Sequence, residues 1–408
     1  MSETTTTGSR ASAGYAGGAG GAGAGRRAGS SSPARPAQPA WRRPSGGLLF
    51  GIALVVILLV LPFYVNTFWL RVGFTVFGTA IGAMGLNLLL GSTGQLSLGH
   101  AFFVAVGGVS YSWLAGEAST SSTRTLGGLG LPPLLAMIIA VGLAGLAGLL
   151  FSPVAARLKG LYLGIASLGL VFVGQHVMNS ATEISGGYNG RRVPDFSLFG
   201  FVFDDEPYLA VLGVPFGRAE RLWYLGLFLA LGCYLFARNL LNGRPGRALR
   251  TVRDSEIAAA VHGVDVQSYR AKAFLLSSMY AGLAGVLYAL SIGSVAPESF
   301  TIEVSIQYLA MIVIGGLGSV GGAVAGAAFV SALPLVLNEY SESIPGLSEP
   351  GSGGISYTEA GKYAYGLAVL VVILFWPNGL AGITRQIKMA RQSRRLAKAK
   401  AAGGPAPG

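Results

Sequence analysis

Charge is scarce in this sequence. Only 11% of its 408 residues are Asp, Glu, Lys or Arg, against about a quarter in soluble domains. No carboxylate falls inside any of the long apolar runs. Carriers that move protons keep a charge-changing group at mid-membrane. Here the polar residues in the interior of the runs include Asn87, Gln95, Ser97, His100, Gln175, His176, Ser277 and Gln307, most of them neutral. Their neutrality argues against proton coupling, while sodium coupling through backbone carbonyls stays open. Cysteine is nearly absent: Cys233 stands alone in an apolar run, so one chain forms no disulfide and no cysteine metal site. No G-x-x-x-x-G-K-[ST] phosphate loop occurs, so the chain does not hydrolyse ATP by that route. Gly316-x-Gly318-x-x-Gly321 has the dinucleotide spacing. No strand precedes it, however, and it lies in an apolar run, where a packing or unwound turn fits better. No His/Asp/Glu cluster has metal-ligand spacing, and no Ser/His/Asp set is suggested. The sequence therefore implies no catalytic residue, metal or cofactor held by this chain alone.

Apolar length is abundant. The chain is 52% hydrophobic with a net charge of +12. Runs near the ~20 residues a spanning helix needs lie at 47–65, 69–90, 95–115, 131–152, 160–178, 221–239, 271–292 and 362–378. The run 304–338 is too long for one upright helix and is interrupted by GGLGSVGG. It divides into about 304–317 and 319–338, giving ten spans. The expected fold is an all-α, polytopic membrane bundle with both termini in the cytoplasm. Under that topology 22 of the 29 Lys and Arg residues lie inside, as the positive-inside rule requires. The outside holds Arg71, Arg124, Arg191, Arg192, Arg218, Arg221 and Lys362. Residues 1–45 have almost no large apolar side chain and read as a disordered basic tail. The first apolar run is too long and too late for a cleavable signal. A transmembrane domain then covers 46–380, with an outer loop at 179–220 that suits a lid or docking surface. A basic cytoplasmic tail fills 381–408, either amphipathic on the membrane surface or simply solvated. No soluble face mixes basic and aromatic residues, so nucleic acid is not an expected partner; membrane lipid is.

Three stretches carry pattern beyond apolarity. In 85–108, glycines 91, 94 and 99 interrupt an apolar run beside Asn87, Gln95, Ser97 and His100. A broken helix exposes backbone groups, which is tolerated only against protein or a water-filled path. The segment is either part of a transport path or a tight small-residue packing site. In 158–192, a small-residue span ends in Gln175, His176 and Asn179 and then SGGYNG. Gly186, Gly187 and Asn189 form either an entrance hinge or a plain exit turn. The third is RPGRALRTVRDSEIAAAVHG, residues 244–263 within a polar segment 240–270. Its arginines 244, 247, 250 and 253 are spaced by three. Ser255 suits an N-cap and Gly263 a helix end. Too polar for lipid, it reads as a cytoplasmic docking helix or as a topology anchor.

Four blocks together resemble the branched-chain amino-acid ABC importer permeases: GQLSLGHAFF (94–103), LYLGIASLG with SGGYNG (161–190), GRALRTVRDSEIAAAVHGVDVQSYRAKAF (246–274) and YLAMIVIGGLGSVGGAVAGAAF (308–329). The resemblance runs in order over about 47–378 and is closer to the LivM-type than to the LivH-type subunit. It implies a bacterial inner-membrane pore working with a second permease subunit. Two ATP-binding subunits would hold ATP-Mg, and an extracytoplasmic binding protein would deliver substrate. The implied coupling residues are Arg250, Arg253, Asp254, Glu256, Ala258, Ala259 and Gly263. The fit departs from the family pattern where Ile257 separates Glu256 from the alanines and no Ile-x-Leu-Pro follows. The implied substrate is a branched-chain amino acid, or a close small solute such as urea or an amide. An ion-coupled secondary transporter acting alone is the competing expectation, and a membrane scaffold the third.

Overall fold

The structure, a computed structural model, describes residues 46–382 except 122–123, 159, 199–200, 205–208, 212–213, 341–346, 349–354, 376–378 and 381. The expected tail 1–45 and the basic stretch 383–408 lie outside the described residues. The chain divides into two compact units, residues 1–53 and 54–408. The described part of the first is the opening of α1 (Gly46–Val60); the bundle belongs to the second.

The bundle continues with α2 (Thr67–Leu86), extended by a π-helical turn at Asn87–Gly91, then α3 (His100–Ala115), α4 (Pro133–Arg157), α5 (Leu161–Ser180) and α6 (Thr182–Ser185). α7 (Arg218–Asn242) leads into the short α8 (Arg244–Asp254) and α9 (Glu256–Val261). α10 (Val266–Ile292), α11 (Ile302–Gly315), α12 (Val320–Glu339) and α13 (Tyr357–Phe375) complete it. The described strands have two or three residues each: β1 (Ser119–Ser121), β2 (Arg124–Leu126), β3 (Arg191–Arg192), β4 (Ser197–Leu198), β5 (Phe201–Val202), β6 (Leu209–Val211), β7 (Val214–Phe216), β8 (Ser294–Val295), β9 (Leu347–Ser348) and β10 (Ile355–Ser356). They pair two by two, and the β3–β8 pair ties the 179–220 loop to the end of α10.

Each of the ten expected spans overlies a helix. Among the described residues seven helices are long and apolar enough to cross a membrane: α2 with its π turn, α4, α5, α7, α10, α11 with the turn before it, and α12. The chain is a multi-pass, all-α membrane bundle. One expected span is shorter than its run: α3 starts at His100, not at 95. Gly94 takes a left-handed φ of 72° and its N–H closes on Leu90 O at 3.0 Å, which ends the preceding helix. The break expected in 304–338 is present: α11 stops at Gly315 and Ser319 N-caps α12 by accepting from Gly322 N at 3.0 Å.

α10 is the axis, packed against α2, α3 and α4. Small residues bring it close. A Cβ built on Gly107 would collide with Gly282 O, and one on Gly285 with Val104 O. This is how membrane helices gain contact without a hydrophobic driving force between them. Prolines leave carbonyls that other groups collect. Pro153 cannot donate to Leu149 O, and Ser152 Oγ does so instead at 2.7 Å. Pro62 likewise frees Leu58 O, which accepts from Trp223 Nε1 at 3.0 Å. Large apolar side chains on the outer faces of α4, α5 and α7 (Leu150, Tyr162, Phe228) are exposed, as lipid contact or a partner subunit requires.

Candidate translocation seam and coupling segment

The interrupted stretch after α2 is buried yet not helical, so its polar groups must find partners elsewhere. Asn87, Gln95, Ser97 and His100 are all buried. Thr93 Oγ1 returns to Leu89 O at 2.6 Å. Gln95 Nε2 donates to Ala155 O of α4 at 3.4 Å and Oε1 accepts from Thr93 Oγ1 at 3.3 Å. Leu98 N donates to Ser167 Oγ of α5 at 2.8 Å, and Ala101 N to Ser305 Oγ of α11 at 3.0 Å. The His100 ring packs edge-on to Tyr308, and Nε2 meets Gly82 O of α2 at 3.0 Å. One unwound strip is thus pinned by α2, α4, α5 and α11. Asn87 uses Oδ1 to accept from Gly318 N at 2.8 Å; its Nδ2 is buried with no partner.

At this same end, α8 and α9 follow α7. Ser255 breaks the run and caps α9, its Oγ accepting from Ala258 N at 3.2 Å. Gly263, at φ 76°, ends it, with Val264 N bonded to Ala259 O at 3.0 Å. Asp265 then caps α10, accepting from Ser268 N at 3.1 Å and Ser268 Oγ at 2.6 Å. Those bonds to Ser268 hold the Asp265 carboxyl below its ordinary value. Glu256 forms an ion pair with the buried Arg270. Ala259 is fully buried. The surface turned outward is instead apolar: Ile257 and Val261, one turn apart on α9, are each 80% exposed. Arg250, Asp254 and Gly263 are exposed, and Ala258 is half-buried.

A model of the branched-chain amino acid transport system / permease component matches residues 68–376. The chain belongs to this family. It is 32% identical over 362 residues to the high-affinity branched-chain amino acid transport system permease protein LivM of Escherichia coli K12, covering 84% of this chain and 76% of that one. A probable LivM of Methanocaldococcus jannaschii is 27% identical over 326 residues, covering 74% and 89%. A probable LivH of the same organism is 27% identical over 189 residues, covering 46% and 51%. No solved structure matches the chain.

In the permease, Gly186, Gly187 and Asn189 do not join the seam. They lie beside the β3–β8 pair at the opposite end, where a Cβ on Gly186 would collide with Gly190 O. The turn positions Arg191, 4% exposed, whose guanidinium donates to Gly127 O and reaches Glu117 O and Glu183 O at 3.5 Å. Burial lowers the Arg191 pKa from its ordinary value. Sequence reasoning missed Arg191 and Arg270 as buried, bonded cations, because nothing local separates them from surface arginines. It also treated Ile257 as an interruption; the Ile257/Val261 spacing of four was the available signal of a common face. Among the described residues no group of three or more His, Cys, Asp or Glu could hold a metal. A cavity of about 670 Å³ between α2, α7 and α10, lined by Arg71, Arg218 and Glu220, contains none of the seam residues.

Proposed function

We propose that this permease is one of two non-identical membrane subunits of an ATP-driven importer for branched-chain amino acids in a bacterial inner membrane. The chain crosses ten times with both termini in the cytoplasm. A second, LivH-like permease completes the path, two ATP-binding subunits carry ATP-Mg, and an extracytoplasmic binding protein delivers substrate. The observation that carries this reading is the α9 surface. A short, doubly capped helix at the basic end presents Ile257 and Val261 to the exterior, beyond the apolar spans that a bilayer would cover. Two exposed apolar side chains among charges suit a protein groove. The apolar runs hold no carboxylate of their own to drive transport. Closure of the ATP-bound subunits would move α9 and, through it, the bundle.

Reconstitution tests this. The chain with its partner subunits is expected to accumulate leucine, isoleucine or valine in liposomes only with ATP and binding protein. Uphill uptake by the chain alone on an ion gradient would replace this reading with a secondary carrier. Uptake of urea or amides but not amino acids would change the substrate and keep the mechanism.

A further inference from the structure

Two unwound stretches and the coupling segment meet at one point. Gly91 closes the π turn, so its carbonyl has no onward helical partner. Arg253, next to last in α8, fills that place: Nη1 donates to Gly91 O at 2.9 Å. The other side of Gly91 touches the break between α11 and α12. Asn87 Oδ1 accepts from Gly318 N, and a Cβ built on Gly91 would stand 2.6 Å from that nitrogen. A Cβ on Gly94 would meet Arg253 Cγ at 3.2 Å, and one on Gly318 would lie 3.6 Å from Gly91 O. At Gly91 no side chain fits between these pieces. Asp254 Oδ1 accepts from Arg253 Nε at 3.1 Å and steadies the fork. Arg244, Arg247 and Arg250 are exposed and make no side-chain bond among the described residues. Arg253 is exposed too, at 41% of its side chain, but of the four regularly spaced arginines it is the one that, among the described residues, bonds a carbonyl of the bundle.

We propose that Arg253 is a positioning residue that transmits movement of the α8–α9 unit to both breaks at once. It does so through the Gly91 carbonyl and the Asn87–Gly318 bond. This rests on reading α9 as the surface that docks an ATP-binding subunit, and it assigns Arg253 to the opposite face from that docking. A guanidinium on a carbonyl at a helix C-terminus is a charge-assisted bond aided by the helix dipole. Displacing α8 therefore pulls on the end of α2 and, through Asn87, on the hairpin of α11 and α12. The unwound strip that follows is itself pinned to α4, α5 and α11.

Two measurements decide it. In the purified full chain, with no ATP-binding subunit, hydrogen exchange in Arg253→Ala is expected to rise about tenfold at 88–94 and at 316–319 together, the factor set by one charged hydrogen bond. Arg253→Lys, which keeps one donor, is expected to recover part of this. A rise confined to 88–94, or none, overturns the proposal. In the complete complex, Arg253→Ala is expected to retain its ATP-binding subunits and lose about tenfold in substrate moved per ATP hydrolysed. An unchanged ratio overturns the proposal, and so does loss of the ATP-binding subunits, which would make Arg253 a docking residue. If the unaltered chain binds no ATP-binding subunit, the importer reading has failed, and the transmission role falls with it.

Discussion

Arg191 shows how one side chain can organise a loop region. Its guanidinium gathers carbonyls from residues 117, 127 and 183, the last of which also accepts from Gly127 N at 2.9 Å, so it ties together strands of backbone that meet at the turn. Arg191→Met removes those bonds and leaves Gly127 O without its guanidinium donor, at a cost of roughly 2 kcal/mol. A lower unfolding midpoint in detergent is the expected result. Arg191→Lys should recover little of it, because one ammonium does not span a fork's geometry. Asp265 gives a pH signature. Its folded pKa is depressed by Ser268. Its contribution is therefore full above the ordinary carboxyl value near 4 and lost as pH falls through the lower folded value. The midpoint difference between the unaltered chain and Asp265→Ala should be constant from pH 8 to 5 and shrink below about 4. A difference that grew on acidification would contradict the cap. Arginine burial was not readable in the sequence, since it depends on which distant backbone arrives at the residue; the Asp265–Ser268 cap is local, three residues apart, and was passed over. The Ser255 cap and the Gly263 stop were readable, because capping is local.

Short α9 separates two kinds of residue that the sequence presents side by side. Ile257 and Val261 are solvent-facing, so Ile257→Glu with Val261→Glu should change the stability by no more than about 0.5 kcal/mol per site, read as a nearly unchanged unfolding midpoint. Co-purification of ATP-binding subunits and uptake should both be lost. Retained co-purification would remove α9 from the docking surface. Ala259 faces inward, and Ala259→Leu should cost about 1–3 kcal/mol by overpacking, read as lost folded yield and not as a coupling defect. Glu256→Lys would set a second cation beside the buried Arg270. The expected outcome is a stability loss of roughly 3 kcal/mol, which makes Glu256 a poor probe of docking. The spacing of α9 was legible; its facing was not, because a six-residue helix has too few turns to show which side is apolar. The strip at 94–99 was legible as an interruption from its glycines. Its partners on α4, α5 and α11 were not, being 60 or more residues away in the chain.

At the scale of the molecule, the helical bundle was plain from the sequence because a bilayer demands long apolar runs and leaves few alternatives. The division of 304–338 was plain for the same reason. The central place of α10 was not, since membrane helices are apolar on every side and periodicity says little about the interior. The proposed topology has a direct check: a tag at Gly408 should be reached by an impermeant reagent only from the cytoplasmic side, and labelling from outside would overturn it. Cys233 offers an experimental convenience. It is partly buried in α7, and its backbone carbonyl, not its thiol, takes the Tyr280 hydroxyl at 2.8 Å. Exchanging that one sulfur for a small side chain yields a thiol-free starting point, after which any spin label or fluorophore introduced elsewhere reports from a single known address.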